Sequence, residues 1–296
     1  MNHTLFPISL VQETIEILKE KGSVFSTYAN LGGWPGKWPT KWDYRVEHTA
    51  WQIDSKNPIA LSLWLLVRSW VYRFHGLVIA PRAMVQGEAV PQILLQHDAD
   101  DNPECTIRLM ELERSLGVVS SCYFFRHKAQ HEDDGDRYPL NIPALQEFEG
   151  EGFEIGYHQN AYERANYDLV LAEKLVAEDV DYFRKHFNLR SFVPHGGKPG
   201  PGGLNNEKMP PTHALKGLTF AYGGGGICTD ANWSDGHVEF PEARELLDPR
   251  KYAHMLAGRV RGRMLFHPQY YGDSLRNDWE RFTISEQAWW KELWNL

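Results

Sequence analysis

Between residues 91 and 268 the sequence alternates short apolar runs with longer amphipathic stretches, and this alternation restricts the fold more than any other feature. Short apolar runs bounded by turn residues are typical of buried strands, whereas the longer stretches have the spacing of helices. Strands that alternate with helices form a parallel sheet covered by those helices, so the sequence predicts an α/β fold. The predicted strands are residues 92–96, 118–125, 153–158, 191–197, 218–222, 227–230 and 264–268. The predicted helices in this part are residues 104–116, 142–148 and 167–187, with a terminal helix at 284–296.

The first predicted strand ends in a group of acids that begins at His97. Asp98 and Asp100 are two residues apart, so on a regular strand they share one face. Two carboxylates that lie this close repel each other unless a cation or a shared proton compensates. The pattern therefore indicates either a cation site at the strand end or a solvated acidic turn that caps the following helix.

Later strand ends supply further polar side chains. The predicted strand ends carry Asp98 with Asp100, then His158, His195, Asp230 and His267. For each histidine taken singly, a structural role explains its position as well as a functional role does. Together they are expected to meet, because the carboxyl ends of parallel strands converge on one edge of a barrel.

Mixed aspartate and histidine ligands suit zinc or a similar divalent ion. Such an ion polarises a carbonyl and acidifies bound water, while a nearby carboxylate serves as base and a histidine as acid. The set therefore predicts metal-assisted hydrolysis of an amide or ester. The sequence has neither a phosphate-binding P-loop nor a Gly-x-Ser-x-Gly motif, and the glycine run at 223–226 is interpreted as a flexible loop.

Composition narrows the class of protein. The chain of 296 residues has a formal net charge of -8 and no basic run, which argues against a nucleic-acid-binding surface. Its three cysteines lack metal-ligand spacing and fit a reduced compartment. The first ten residues do not resemble a secretory signal, and charged residues interrupt the most apolar segment. We therefore expect a cytoplasmic protein with no membrane span and no nucleic-acid partner.

No linker divides the chain, so residues 1–296 are predicted to form a single domain. In this interpretation residues 1–90 are an N-terminal extension packed on a barrel core at 91–296. The extension contains predicted helices at 11–21 and 59–74 and a strand at 23–28. The stretch 32–43 is rich in Gly, Pro, Trp and Lys and is predicted to be an ordered loop or, alternatively, a lid near the barrel mouth.

The strand-end motifs resemble those of the polysaccharide deacetylase superfamily, the NodB-homology or carbohydrate esterase family four proteins. His97-Asp98-Ala99-Asp100 is similar to the first motif of that family, and Glu154-Ile155-Gly156-Tyr157-His158 to the second. Phe192-Val193-Pro194-His195-Gly196 stands in the place of the third and Asp230-Ala231-Asn232-Trp233 in that of the fourth. Leu265-Phe266-His267-Pro268 is similar to the last. The resemblance covers about residues 92–272.

This resemblance implies a distorted (β/α)7-type barrel that binds zinc. Asp98 is then the catalytic base and His267 the catalytic acid, while Asp100 and His158 are metal ligands. The family has a second histidine four residues after the first in its second motif, where this chain has Tyr162. We expect His195, from a neighbouring strand end, to be the third ligand. The candidate substrate-binding residues are Asp230, Trp233 and Tyr162.

The resulting hypothesis is a metal-dependent hydrolase of amide bonds that removes the acetyl group from an N-acetylated sugar or glycan precursor. Hydrolysis of a non-sugar amide is a second possibility, since barrels of this kind host several chemistries. A degenerate barrel that binds carbohydrate without catalysis is a third, and Tyr162 in place of a ligand supports it. The sequence predicts a small-molecule or glycan partner and makes no prediction of an oligomeric state.

Overall fold

A curled, wholly parallel sheet flanked by helices forms the centre of the computed structural model. The model describes residues 6–30, 92–128, 138–196, 200–209, 212–215, 217–221, 231–235, 248–256 and 261–272. The described strands are β1 (Phe6–Pro7), β2 (Val24–Ser26), β3 (Gln92–Ala99), β4 (Ser121–Phe124), β5 (Glu154–Gln159), β6 (Ser191–Pro194), β7 (Thr219–Phe220), β8 (Ala231–Ser234), β9 (Arg261–Phe266) and β10 (Tyr271–Gly272). The described α-helices are α1 (Ser9–Glu20), α2 (Pro103–Ser115), α3 (Ile142–Gly150), α4 (Ala161–Arg164), α5 (Leu169–His186) and α6 (Pro249–Leu256).

The strand order across the main sheet is β7-β6-β5-β4-β3-β9-β8, and every pair is parallel. The first strand of the core and the last one, β3 and β9, are therefore neighbours. Leu95 pairs with Met264 and His97 with Phe266. Asp98 and His267 follow this last pair, which brings the two of them to the same edge.

The helices that follow the strands begin at identifiable caps. Asn102 caps α2 by accepting a hydrogen bond from the backbone N–H of Glu104, and Pro103 occupies the first turn, where its missing N–H costs nothing. Asp168 caps α5 in the same way. Gly117 ends α2 in the left-handed conformation that glycine adopts most readily. These signals fix where each helix leaves the sheet edge.

The N-terminal segment adds strand β2 to the sheet, while its helix α1 packs on the outer face. Strand β2 pairs with Gln92–Leu94 of β3, whereas β4 pairs with the later part of that strand, from Gln96 to Ala99. Since β9 occupies the other edge of β3, β2 and β4 must share one edge in succession. The backbone N–H of Tyr28, just after β2, donates to Ser121 Oγ at the start of β4. The segment thus extends the sheet beside the amino-terminal half of β3, up to the start of β4.

The two faces of the sheet have different packing. The outer face packs apolar side chains of β3 and β9, such as Leu95 and Phe266, against α1 and α6. The inner face carries a small cluster that includes Leu94, Tyr123 and Val193. Gly156 is required there, because a Cβ atom at this position would lie 2.3 Å from the Tyr123 ring.

The structure confirms an α/β fold with a curled parallel half-barrel, and closure into a full (β/α)7 barrel is not established. Along the described part of the chain, the ladder ends at β7 on one side and β8 on the other. The first core strand is longer than predicted and includes Asp98. The described strand near the fourth motif is β8, which begins just after the predicted strand 227–230. The predicted helices at 59–74 and 284–296 and the loop at 32–43 lie outside the described residues. Within those residues, no helix is long and apolar enough to cross a membrane.

Candidate metal centre and acid–base groups

Asp100, His158 and His195 lie together at the carboxyl edge of the sheet, where they follow or end β3, β5 and β6. One potential ligand atom from each lies within 4.8 Å of the others, and the group could hold a metal ion. One carboxylate and two imidazoles leave at least one position of a tetrahedral ion open, which is the arrangement of catalytic zinc sites. The structure therefore brings together the three ligands that the sequence suggested.

Both ring nitrogens of His158 face hydrogen-bond acceptors. Its Nδ1 lies 3.1 Å from the carbonyl oxygen of Val193, and its Nε2 lies 2.8 Å from Oδ1 of Asp100. Both neighbours are acceptors, so a neutral ring, which has one N–H, cannot satisfy both contacts. Either a second proton or a metal ion must lie between Nε2 and the carboxylate. The Phe125 ring stacks on His158 at 4.6 Å and holds its plane.

Asp100 is a stable carboxylate in this setting. Burial disfavours its charged form, but the hydrogen bond with His158 and the electrostatic attraction of the neighbouring His195 and His267 outweigh burial. They hold the pKa of Asp100 well below its usual range. An anionic oxygen donor is therefore available to a cation throughout the neutral pH range.

The third candidate ligand is held by a neighbouring carboxylate. His195 Nδ1 lies 3.3 Å from Oε2 of Glu163, a residue of α4. Asn206 donates to that same oxygen at 3.3 Å and to the backbone carbonyl of His195 at 3.1 Å. His195 also meets the edge of the Phe125 ring. Glu163 and Phe125 thus hold the ring of His195, and Asn206 holds its backbone.

His267 forms a close pair with an acid that the sequence reading missed. Its Nδ1 lies 2.5 Å from Oδ1 of Asp235, and its backbone N–H donates to Oδ2 of the same carboxylate. The Tyr271 hydroxyl donates to Oδ2 as well. His267 Nε2 lies 3.5 Å from Asp100 Oδ2 and therefore faces the candidate metal site.

This pairing keeps His267 protonated. Burial disfavours the imidazolium, but the charge and hydrogen bond of Asp235, together with Asp100 and Asp98, raise the pKa of His267 to about 10. A protonated ring can donate a proton from Nε2, the atom that faces the cluster. The geometry therefore suits a general acid.

Asp98 lies on the inner face of the sheet near His267, and the preceding inward-facing residue of β3, Gln96, holds its side chain. Gln96 Nε2 donates to Asp98 Oδ1 at 2.7 Å. The amide oxygen of Gln96 accepts from the Tyr28 hydroxyl and from Arg263 Nε, both at 2.8 Å. Arg263 also donates to the Tyr28 oxygen at 2.9 Å. Asp98 is therefore supported by a buried chain of polar groups that begins in the N-terminal segment.

The structure describes two of the three candidate substrate-binding residues, and both of these pack in apolar clusters. Trp233 packs against Phe266 in the apolar layer outside the sheet. Tyr162 is buried in another apolar cluster and meets Tyr167 edge to face. Asp230 lies outside the described residues.

The residues of the site that the sequence did not reveal were missed for three different reasons. Asp235 directly follows β8, so its signal was an acid at a strand end, which a correct strand boundary would have shown. Glu163 and Asn206 lie on short helical turns with no motif around them. Tyr28 and Arg263 reach the inside of the sheet only through the tertiary fold.

No protein-family model, no curated protein and no solved structure matches this chain. The resemblance to polysaccharide deacetylases therefore depends on the sequence motifs alone.

Proposed function

We propose that this chain is a metal-dependent hydrolase of amide bonds that removes the N-acetyl group of a sugar or glycan precursor. One observation carries the proposal. A cluster of one carboxylate and two imidazoles has His267 Nε2 at 3.5 Å from its carboxylate Asp100, and Asp98, whose side chain is supported by Gln96, precedes Asp100 by two residues. A base and an acid beside a metal site are the groups that metal-assisted amide hydrolysis requires.

Asp100, His158 and His195 would hold the ion, for which zinc is the first candidate. When bound there, the ion polarises the substrate carbonyl and acidifies a water molecule. Asp98 accepts the proton of the attacking water, and the Gln96 amide keeps its carboxylate in place. His267 donates its Nε2 proton to the leaving nitrogen, while Asp235 steadies the ring at Nδ1.

The test begins with the metal content of the purified full chain. It continues with acetate release from N-acetylglucosamine, its oligomers and its uridine diphosphate conjugate, compared with acetylated amines that carry no sugar. We expect about one zinc-like ion per chain, loss of activity with a chelator and recovery on adding zinc. Asp98→Asn and His267→Ala should each retain the metal and lower turnover roughly 100-fold or more.

Asp101→Asn is the matched control, because this neighbouring acid pairs with Lys128 and is half-exposed. It should leave turnover unchanged. A folded chain that takes up no divalent ion would overturn the proposal, and sugar binding without turnover would favour a carbohydrate-binding module. Acetate release from the acetylated amines but not from the sugars would support the hydrolase activity and refute the proposed substrate class. Near-normal turnover in either catalytic variant would remove that residue from its role.

A further inference from the structure

We propose that Glu163 is a positioning residue that fixes His195 as the third ligand of the metal site, an inference that rests on the metal centre of the proposed function. Glu163 Oε2 lies 3.3 Å from His195 Nδ1. The Glu163 side chain is only 2% exposed, so this carboxylate contacts protein rather than solvent. A buried carboxylate of this kind needs a partner that compensates its charge.

The contact assigns the ring nitrogens of His195. When Nδ1 donates its hydrogen to the carboxylate, the lone pair of the neutral ring lies on Nε2. Carboxylate partners of this type fix the tautomer of ligating histidines and raise the basicity of the nitrogen that binds the ion. Glu163 thereby selects Nε2 as the donor atom of His195.

Asn206 makes the arrangement rigid. It is 1% exposed and contacts both members of the pair, through Glu163 Oε2 and through the backbone carbonyl of His195. Its own amide oxygen accepts from the backbone N–H of Glu163 at 3.0 Å. The start of α4 and the end of β6 are therefore tied together by one side chain. A displacement of Glu163 would be transmitted to the ligand.

The two histidine ligands are supported differently. His158 Nδ1 meets a backbone carbonyl, which a side-chain substitution cannot remove. His195 Nδ1 meets a side chain, which a substitution can remove. Tyr162 precedes Glu163 on α4 and is turned into the apolar cluster, so α4 serves the site through Glu163 instead. Metal affinity should consequently respond to Glu163, and only while His195 is present.

The experiment is a double-mutant cycle of zinc affinity on the full chain. It compares the wild type, Glu163→Ala, His195→Ala and the double variant by competition with a chromogenic chelator, with circular dichroism as the check on folding. We expect Glu163→Ala to weaken zinc binding about 10- to 100-fold, the usual cost of losing such a partner. In the His195→Ala background, the same change should have no further effect. Glu173→Ala, an exposed position on α5, is the matched control and should leave affinity unchanged.

Glu163→Gln serves if the alanine variant does not fold, because its amide oxygen can still accept from His195. Its loss should be smaller and again confined to the chain that retains His195. Unchanged affinity in both variants, or an equal loss in both backgrounds, would overturn the inference while leaving the proposed hydrolase intact. Zinc binding with the expected cycle but no acetate release would support the inference and refute the proposed function. A wild type that binds no zinc would refute both.

Discussion

Two histidine–carboxylate pairs lie on opposite faces of the same sheet and have almost the same local structure. On the outer face, His97 Nε2 lies 2.7 Å from Glu113 Oε1, and the Ser120 hydroxyl donates to the other carboxylate oxygen. At the mouth, His267 Nδ1 lies 2.5 Å from Asp235 Oδ1, and a tyrosine hydroxyl donates to the other oxygen. The difference lies in the second nitrogen of each ring.

In the outer pair, both side chains are fully buried, and the second nitrogen of His97 has no hydrogen-bond partner among the described residues. In the mouth pair, the second nitrogen of His267 faces the candidate metal site, and the His267 side chain is 14% exposed. The same pair therefore serves the fold in one place and is available for proton transfer in the other. Access at the second nitrogen, rather than the pairing itself, separates the two roles.

Among the substitutions that test this comparison, Glu113→Ala is expected to lower the free energy of unfolding most. The substitution leaves His97 and Ser120 buried without their acceptor, and breaking a buried pair of this kind costs about 3 kcal/mol or more. Urea unfolding of the full chain should show this loss in the free energy of unfolding. Zinc affinity should remain unchanged under conditions in which the variant is folded.

Glu111→Ala, at an exposed position of the same helix, is the control and should change stability by less than about 0.5 kcal/mol. Replacing both members of the pair by leucine should recover part of the lost stability, because the imidazole of His97 is then no longer buried without its acceptor. A weakened metal site in folded Glu113→Ala would contradict the separation of the two faces.

The adjacent residues His97 and Asp98 show how much of this could be predicted from sequence. The strand period of two predicted that Asp98 and Asp100 share one face, and the strand pattern predicted a parallel sheet; the structure shows β3 paired in parallel with β9. The period also places His97 on the opposite face, but its partner Glu113 lies 16 residues away and carries no motif.

Asp235 and Glu163 could not be found for a related reason. The signal for Asp235 depends on the exact end of a short strand, and strand ends are the least certain part of a periodicity argument. Glu163 meets His195 across 32 residues of sequence, through a contact that only the tertiary fold creates. Ligands that end strands are therefore readable from sequence, whereas the groups that orient them are not.

A medium effect is expected from Asp235→Asn, which tests the mouth pair directly. The substitution removes the negative charge that raises the pKa of His267 to about 10. Nuclear magnetic resonance titration of metal-free protein should show this pKa moving by at least about one unit toward the ordinary value of ~6.5.

The sign of the accompanying stability change follows from linkage. A histidine whose pKa is raised in the folded state stabilises the fold fully below pH ~6.5, its unfolded value, and this contribution falls as pH rises toward about 10. Asp235→Asn should therefore lose stability relative to the wild type at pH 6 and less of it at pH 10. An unmoved pKa of His267 would mean that Asp235 does not set its protonation.

The smallest effect is expected from Tyr28→Phe, which tests the support beneath Asp98. The Tyr28 hydroxyl donates to Gln96 and accepts from Arg263, but Arg263 donates to the same Gln96 oxygen and keeps it satisfied. Burial also raises the pKa of Tyr28 to about 12, although Arg263 opposes this, so the phenol is neutral and no charge is removed. The loss should be about 1 kcal/mol, the usual contribution of one hydrogen bond, in urea unfolding.

Removing the Glu113 carboxylate leaves two buried groups without their hydrogen-bond partner, whereas removing the Tyr28 hydroxyl leaves the Gln96 oxygen bonded to Arg263, so the two substitutions should differ by about 2 kcal/mol. Tyr182→Phe, a partly exposed tyrosine on α5, is the matched control and should change stability by less than about 0.5 kcal/mol. An effect of Tyr28→Phe as large as that of Glu113→Ala would show that the inner network depends on one hydroxyl. The inner face would then be as intolerant of a single loss as the outer pair, and the contrast between the two faces would concern access alone.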